Sequence, residues 1–104
     1  PPRVNLTDIC RVVARQFGTT ASDLRSRRRD RRSALPRKCA MLLARELTAG
    51  NLADIGRFFG GRDHSTVVHS CQRLKELLEQ DPDLRSNLNQ IRHALGVATA
   101  ESAL

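Results

Sequence analysis

Apolar residues recur every three or four positions along most of this 104-residue chain. This is the spacing of one face of a helix, and no segment shows the strict alternation that a half-buried strand requires. The repeats occupy five segments, namely 4–17, 35–47, 52–59, 67–78 and 84–95, and a short additional turn of helix is expected over 21–25. We therefore predict an all-α domain, a bundle of about six helices.

Helix-starting and helix-ending residues divide these repeats. Ser33 is predicted to cap the helix whose first turn holds Pro36, and Asp63 is predicted to cap the longest helix directly after Gly60-Gly61. We expect one domain over 1–96 and a frayed tail over 97–104. Because the chain starts with Pro1-Pro2 and has no initiating Met, we also expect it to be a piece of a longer protein.

Positive charge is concentrated in one part of the chain. Lys and Arg number 18 against 11 acidic residues, which gives a formal charge of +7, and 16 of the 18 are Arg. Eight of these cations lie between Arg25 and Lys38, whereas residues 75–104 carry a net charge of −2. The run from Arg27 to Arg32 is too dense in like charge for a packed element, so we predict a solvent-facing basic loop that meets a polyanion.

Residues 51–79 have the layout of a helix-turn-helix, with a short helix, a glycine turn and a longer helix. In such motifs the second helix enters the major groove of DNA and contacts bases with its first turn. Here that turn carries the polar residues Asp63, His64, Ser65 and Thr66, which can donate to or accept from base edges and phosphates. The alternative is an ordinary pair of helices in which Asp63 is only a cap.

The run Phe59 to Cys71, with the sequence FGGRDHSTVVHSC, closely resembles the signature of the C-terminal DNA-binding domain of the DnaA family of bacterial chromosomal replication initiators. The resemblance continues upstream without a gap through the Arg27–Arg32 cluster, Pro36-Arg37 and the helix over 40–47, and covers about residues 4–95. It implies sequence-specific binding of double-stranded DNA, at nine-base-pair origin boxes similar to TTATNCACA.

The resemblance also implies roles for individual residues. Arg29 would insert into the minor groove, while Asp63, His64 and Ser65 would contact bases in the adjacent major groove. Seven residues would contact phosphate, namely Arg27, Arg31, Arg37, Lys38, Leu52, Thr66 and Arg73. Gly61 and Arg62 lie in the signature turn, where we expect shape and backbone positioning rather than base contact. The chain departs from the family pattern at Asp30, an acid within the basic loop, and at Leu35, where a basic residue is common.

Two other functions remain open from the sequence. The same module could serve a transposase accessory protein or a transcriptional repressor. A module of another class is also open, because the amphipathic first helix, with Arg11 and Arg15 beside Ile9 and Val12, could lie on acidic phospholipid or dock a regulatory protein.

Catalysis and metal binding find little support in the sequence. Asp63, His64 and Ser65 are consecutive on one helix and diverge by about 100° each, so they cannot form a hydrolytic triad. His64 and His69 are five residues apart, which is poor spacing for zinc on a helix. We therefore expect no enzyme activity and no cofactor in this domain, and the ATPase of an initiator would lie outside it. We also expect the domain to be a monomer that acts in the cytoplasm, bound to the nucleoid. The three widely spaced cysteines are expected to be free core thiols.

Overall fold

A computed structural model describes residues 4–97, and within this range the chain forms six α-helices. They are α1 (Leu6–Phe17), α2 (Ala21–Arg25), α3 (Arg31–Leu47), α4 (Leu52–Phe58), α5 (His64–Gln80) and α6 (Pro82–Ala94). The predicted all-α bundle is therefore confirmed. The predicted frayed tail lies outside the described residues except for Val97.

Helix α3 is the centre of the bundle. Six consecutive residues, 39–44, are buried, so this part of the helix is covered on every side. Its apolar sequence from Cys39 to Ala44 explains why, because a helix that is apolar all round is stable only inside a core. Helices α1, α2, α4 and α5 all pack against α3, and α6 closes the bundle against α1 and α5.

The start of α3 differs from the sequence prediction. Asp30, not Ser33, is the N-cap: its carboxylate accepts a hydrogen bond from the backbone N–H of Ser33 at 2.8 Å, so the helix begins at Arg31. The prediction that Ser33 caps the helix was wrong, because Ser33 is itself buried in the first turn. The loop is consequently shorter than predicted, since Arg31 and Arg32 already belong to α3.

All three cysteines are free and buried, as predicted. Burial raises the pKa of the Cys39 thiol to about 12 and that of Cys10 to about 11. Both thiols therefore stay protonated near neutral pH and act as small apolar core groups.

Much of the apolar face of α1 packs in the core. Ile9 and Val13 are both 0% exposed, whereas Leu6 and Val12 are partly buried against the core. The phospholipid alternative stays a prediction. Among residues 4–97, no helix is both long and apolar enough to cross a bilayer, and no three His, Cys, Asp or Glu side chains are grouped so as to hold a metal ion.

Candidate nucleic-acid interface

Helices α4 and α5 are joined by a tight glycine turn. Gly60 and Gly61 both have positive φ, at 84° and 73°, a conformation that side chains with a Cβ rarely adopt. The turn folds back on α4, where the Arg62 N–H donates to the carbonyl of Gly56 at 2.8 Å. A Cβ on Gly56 would lie 2.0 Å from the Arg62 carbonyl oxygen, so this close approach needs glycine. The turn therefore fixes the direction in which α5 leaves α4.

The first turn of α5 projects four exposed polar side chains, Asp63, His64, Ser65 and Thr66. Asp63 is the N-cap, and its carboxylate accepts from the Thr66 N–H at 2.9 Å. That hydrogen bond lowers the pKa of Asp63, so the group is ionised at neutral pH and acts only as an acceptor. The apolar side of α5 begins at Val67, which is 0% exposed, so the helix is anchored just behind this polar tip.

The basic loop, which in the structure comprises residues 26–30, is supported by α3. Arg37 is 5% exposed, and its Nε and Nη2 donate to the carbonyls of Leu24 and Asp23 at 2.9 and 2.7 Å. Burial lowers the pKa of Arg37, and the carboxylates of Asp30 and Asp23 partly offset this. Its side chain thus connects α3 to the end of α2, directly before the loop.

The glycine turn between α4 and α5 also contacts the loop. Arg62 donates to the backbone carbonyls of Ser26, Arg28 and Phe59. The Arg25 guanidinium lies 4.0 Å from the centre of the Phe58 ring. These contacts form what we call the loop–turn junction, made of residues 25–28 on one side and 58–62 on the other.

The loop and the first half of α5 form the two walls of one open cleft. Its floor is α3, which contributes Ala34 and Met41. The charged and polar residues that line it are Arg27, Arg29, Asp30, Arg31, Arg37, Lys38, Arg62, Asp63, Thr66 and Ser70. Cations therefore dominate this concave surface, as is typical of a site for a polyanion.

Comparison with known proteins identifies the fold of this surface. A family model described as "Bacterial dnaA protein helix-turn-helix" matches residues 6–74. The chain belongs to the bacterial DnaA helix-turn-helix family. It is 42% identical over 95 residues to chromosomal replication initiator proteins DnaA of Rhodopseudomonas palustris strains HaA2 and TIE-1, and 43% identical to that of strain BisB5. Each alignment covers 91% of this chain but 20% of the relative, so the chain spans about a fifth of the length of these DnaA proteins.

The DnaA family match includes every residue that the sequence predicted for the site. The structure brings seven of these residues together in the cleft: Arg27, Arg29, Arg31, Arg37, Lys38, Asp63 and Thr66. Arg37 also has an internal role. Its side chain lines the cleft but is only 5% exposed, and its Nε and Nη2 donate to two backbone carbonyls. The phosphate contact of Arg37 stays a prediction, and the structure adds its support of the basic loop.

The remaining four predicted residues lie outside the cleft. His64 and Ser65 are exposed on the first turn of α5, beyond the cleft wall. Leu52 is half-buried and is the first residue of α4, where a backbone N–H points out of the helix. Arg73 is exposed further along α5 and forms an ion pair with Glu76 at 3.4 Å.

Sequence reasoning missed two contributors to this DnaA-type surface. Ser70 lines the cleft one helical turn after Thr66, and the i, i+4 spacing of these two hydroxyl residues was a usable signal. Asp30 stood out in the sequence only as an acid among arginines. Its capping role could have been inferred, because Asp is a preferred N-cap residue and the apolar repeat of α3 follows it.

Proposed function

We propose that this domain binds double-stranded DNA in a sequence-specific manner and serves the recognition of replication-origin boxes similar to TTATNCACA. The observation that carries the proposal is one cleft lined both by the arginine-rich loop and by Asp63 and Thr66 at the start of α5. The name of the matched relatives, chromosomal replication initiator protein, supports the same function.

In this proposal the two walls of the cleft enter neighbouring grooves of one duplex. The tip of α5 lies in the major groove, where His64 and Ser65 face base edges and the ionised Asp63 accepts from a cytosine amino group. Arg29, exposed in the loop, enters the adjacent minor groove. An A·T-rich segment has a narrow minor groove with enhanced negative potential, which favours an inserted arginine.

The phosphate backbone that separates the two grooves then lies in the cleft itself. Arg27, Arg31 and Lys38 line it and supply positive charge, while Thr66 supplies a hydroxyl. The Leu52 N–H and the exposed Arg73 side chain contact phosphates outside the cleft. These contacts set the position of the domain on the duplex and give it affinity for any sequence.

A titration of two labelled duplexes tests the proposal. Binding of a duplex that carries the nine-base-pair box is compared with binding of a scrambled duplex, at two salt concentrations. We expect the box to be preferred by a factor of about 10³ or more, as is typical of specific DNA-binding proteins. Equal binding of both duplexes would reduce the function to general affinity for polyanions.

Arg29→Ala tests the minor-groove contact, with Arg28→Ala as the matched control. Both side chains are exposed in the loop, but only Arg29 is among the residues that line the cleft. Arg29→Ala should cost about 1–3 kcal/mol on the box, mainly through its A·T-rich half, and less on the scrambled duplex. The same loss on both duplexes would make Arg29 a phosphate contact.

A further inference from the structure

We propose that Arg62 is a positioning residue for DNA recognition: its guanidinium holds the basic loop against the glycine turn, so that Arg29 and the tip of α5 meet the duplex at one fixed separation. The inference rests on the proposed function, because it explains how two separate parts of the chain act on neighbouring grooves. Its first test needs no DNA and is therefore independent of that function.

The hydrogen bonds of Arg62 connect the two sides of the junction. Nη1 donates to the carbonyl of Ser26 at 2.8 Å and also to that of Phe59 in the turn, while Nη2 approaches the carbonyl of Arg28 at 3.4 Å. Ser26 and Arg28 are 36 and 34 residues away in sequence. The planar fork of arginine can reach several carbonyls at once, whereas the single ammonium of lysine cannot reproduce that geometry.

The electrostatic surroundings of Arg62 are unfavourable for a cation. Burial lowers its pKa, and the charges of Arg37, Arg27 and Arg29 lower it further. Among residues 4–97 no carboxylate lies within ion-pair distance of this guanidinium, and its partners are backbone carbonyls. Since two of those partners belong to the loop, the same bonds that accommodate the charge also fix the loop.

The two sides of the junction approach each other closely at Gly60. A Cβ on Gly60 would lie 2.6 Å from Arg62 Nη1, 2.8 Å from the Ser26 carbonyl oxygen and 3.0 Å from that of Arg25. Arg25 reinforces the contact, because its Nε donates to the Phe58 carbonyl at 3.2 Å. The backbones of the turn and the loop thus lie close together, and the Arg62 and Arg25 side chains bond the two sides.

Limited trypsin digestion of the DNA-free protein tests the positioning role. Trypsin cleavage after Arg27, Arg28 and Arg29 reports how often the loop opens, and mass spectrometry separates these cuts from cuts elsewhere. For both Arg62→Lys and Arg62→Gln we expect loop cleavage to accelerate by about fivefold or more, the factor that corresponds to one lost hydrogen bond of about 1 kcal/mol. The matched control is Arg57→Gln, since Arg57 is an exposed arginine that pairs with Asp54 on its own helix.

Two results of the digestion would overturn the inference. Cleavage of the loop at the wild-type rate in both variants would show that Arg62 does not hold it. Acceleration spread evenly over all arginine and lysine sites would show a general loss of folding instead of a local release.

DNA binding then shows whether the fixed loop matters for recognition. We expect Arg62→Lys, which keeps the positive charge, to lose preference for the box by about tenfold while its binding of a scrambled duplex stays near that of wild type. Unchanged preference in a variant with a released loop would refute the positioning role. If wild type itself showed no preference, the proposed function would fail, while the digestion result would still decide whether Arg62 holds the loop.

Discussion

Replacing Arg37 by Met should destabilise the free protein, because the structure makes this arginine an internal support. Its two hydrogen bonds to backbone carbonyls are 2.9 and 2.7 Å long and the side chain is 5% exposed. Two hydrogen bonds from a charged donor contribute at most about 3–6 kcal/mol to the free energy of unfolding. Because Met carries no charge, the cost of burying the guanidinium disappears, and the expected net loss of stability is about 2–3 kcal/mol. For a domain of this size the melting temperature should fall by about 8–24 °C.

Thermal unfolding of the DNA-free protein, followed by circular dichroism, measures this loss. Arg32→Met is the matched control, because Arg32 is an exposed arginine on the same helix and its replacement should leave the melting temperature nearly unchanged. The argument is refuted if Arg37→Met melts within about 4 °C of wild type. If such a variant also bound DNA with a weaker salt dependence, Arg37 would be the phosphate contact that the sequence first predicted.

Two further predictions concern the turn and the loop. Gly60→Ala should lower the melting temperature clearly more than Gly18→Ala, because both positions have positive φ but a Cβ meets close neighbours only at Gly60; equal effects in thermal unfolding would argue against a tight loop–turn contact. Asp30→Asn tests acid sensitivity. The Ser33 N–H lowers the pKa of Asp30, so its contribution to stability is present above the ordinary carboxyl pKa and is lost as the pH falls through the lowered value. The melting-temperature gap between wild type and Asp30→Asn should therefore shrink from about pH 5 to pH 2, and a constant gap would contradict this.

The helices were predictable because the information that specifies them is local. The apolar repeats, Asp63 as a cap and the double glycine each act within a few residues, so the sequence indicated α4, the turn and α5 correctly. The boundary of α3 was misplaced because the dense positive charge of 27–32 suggested loop throughout. The carboxylate of Asp30 stabilises the helix start enough for Arg31 and Arg32 to be helical.

The roles of individual arginines were not predictable, because they depend on contacts between distant parts of the chain. Arg37 and Arg31 look equivalent in the sequence, yet Arg37 is buried under α2 and Arg31 is exposed in the cleft. Nothing in the sequence near Arg62 indicates that its partners are the carbonyls of Ser26 and Arg28. The cleft as a set of residues could be inferred from family resemblance, but the internal use of Arg37 could not.

This division of the arginines predicts the salt dependence of DNA binding. Arg37 and Arg62 donate to backbone carbonyls in the free protein, so neither is counted here among the cations that neutralise phosphate. The proposal leaves five cations for the duplex, namely Arg27, Arg29, Arg31, Lys38 and Arg73. Arg29 lies in the minor groove, so the other four neutralise phosphates and give a slope of log K against log salt of about −3.6, and Arg73→Ala should reduce its magnitude by about 0.9. A wild-type slope of about −5.4 or steeper would mean that at least two further cations contact phosphate. Replacing Arg28, Arg32, Arg37 and Arg62 one at a time would then show whether the exposed or the internal arginines supply these contacts.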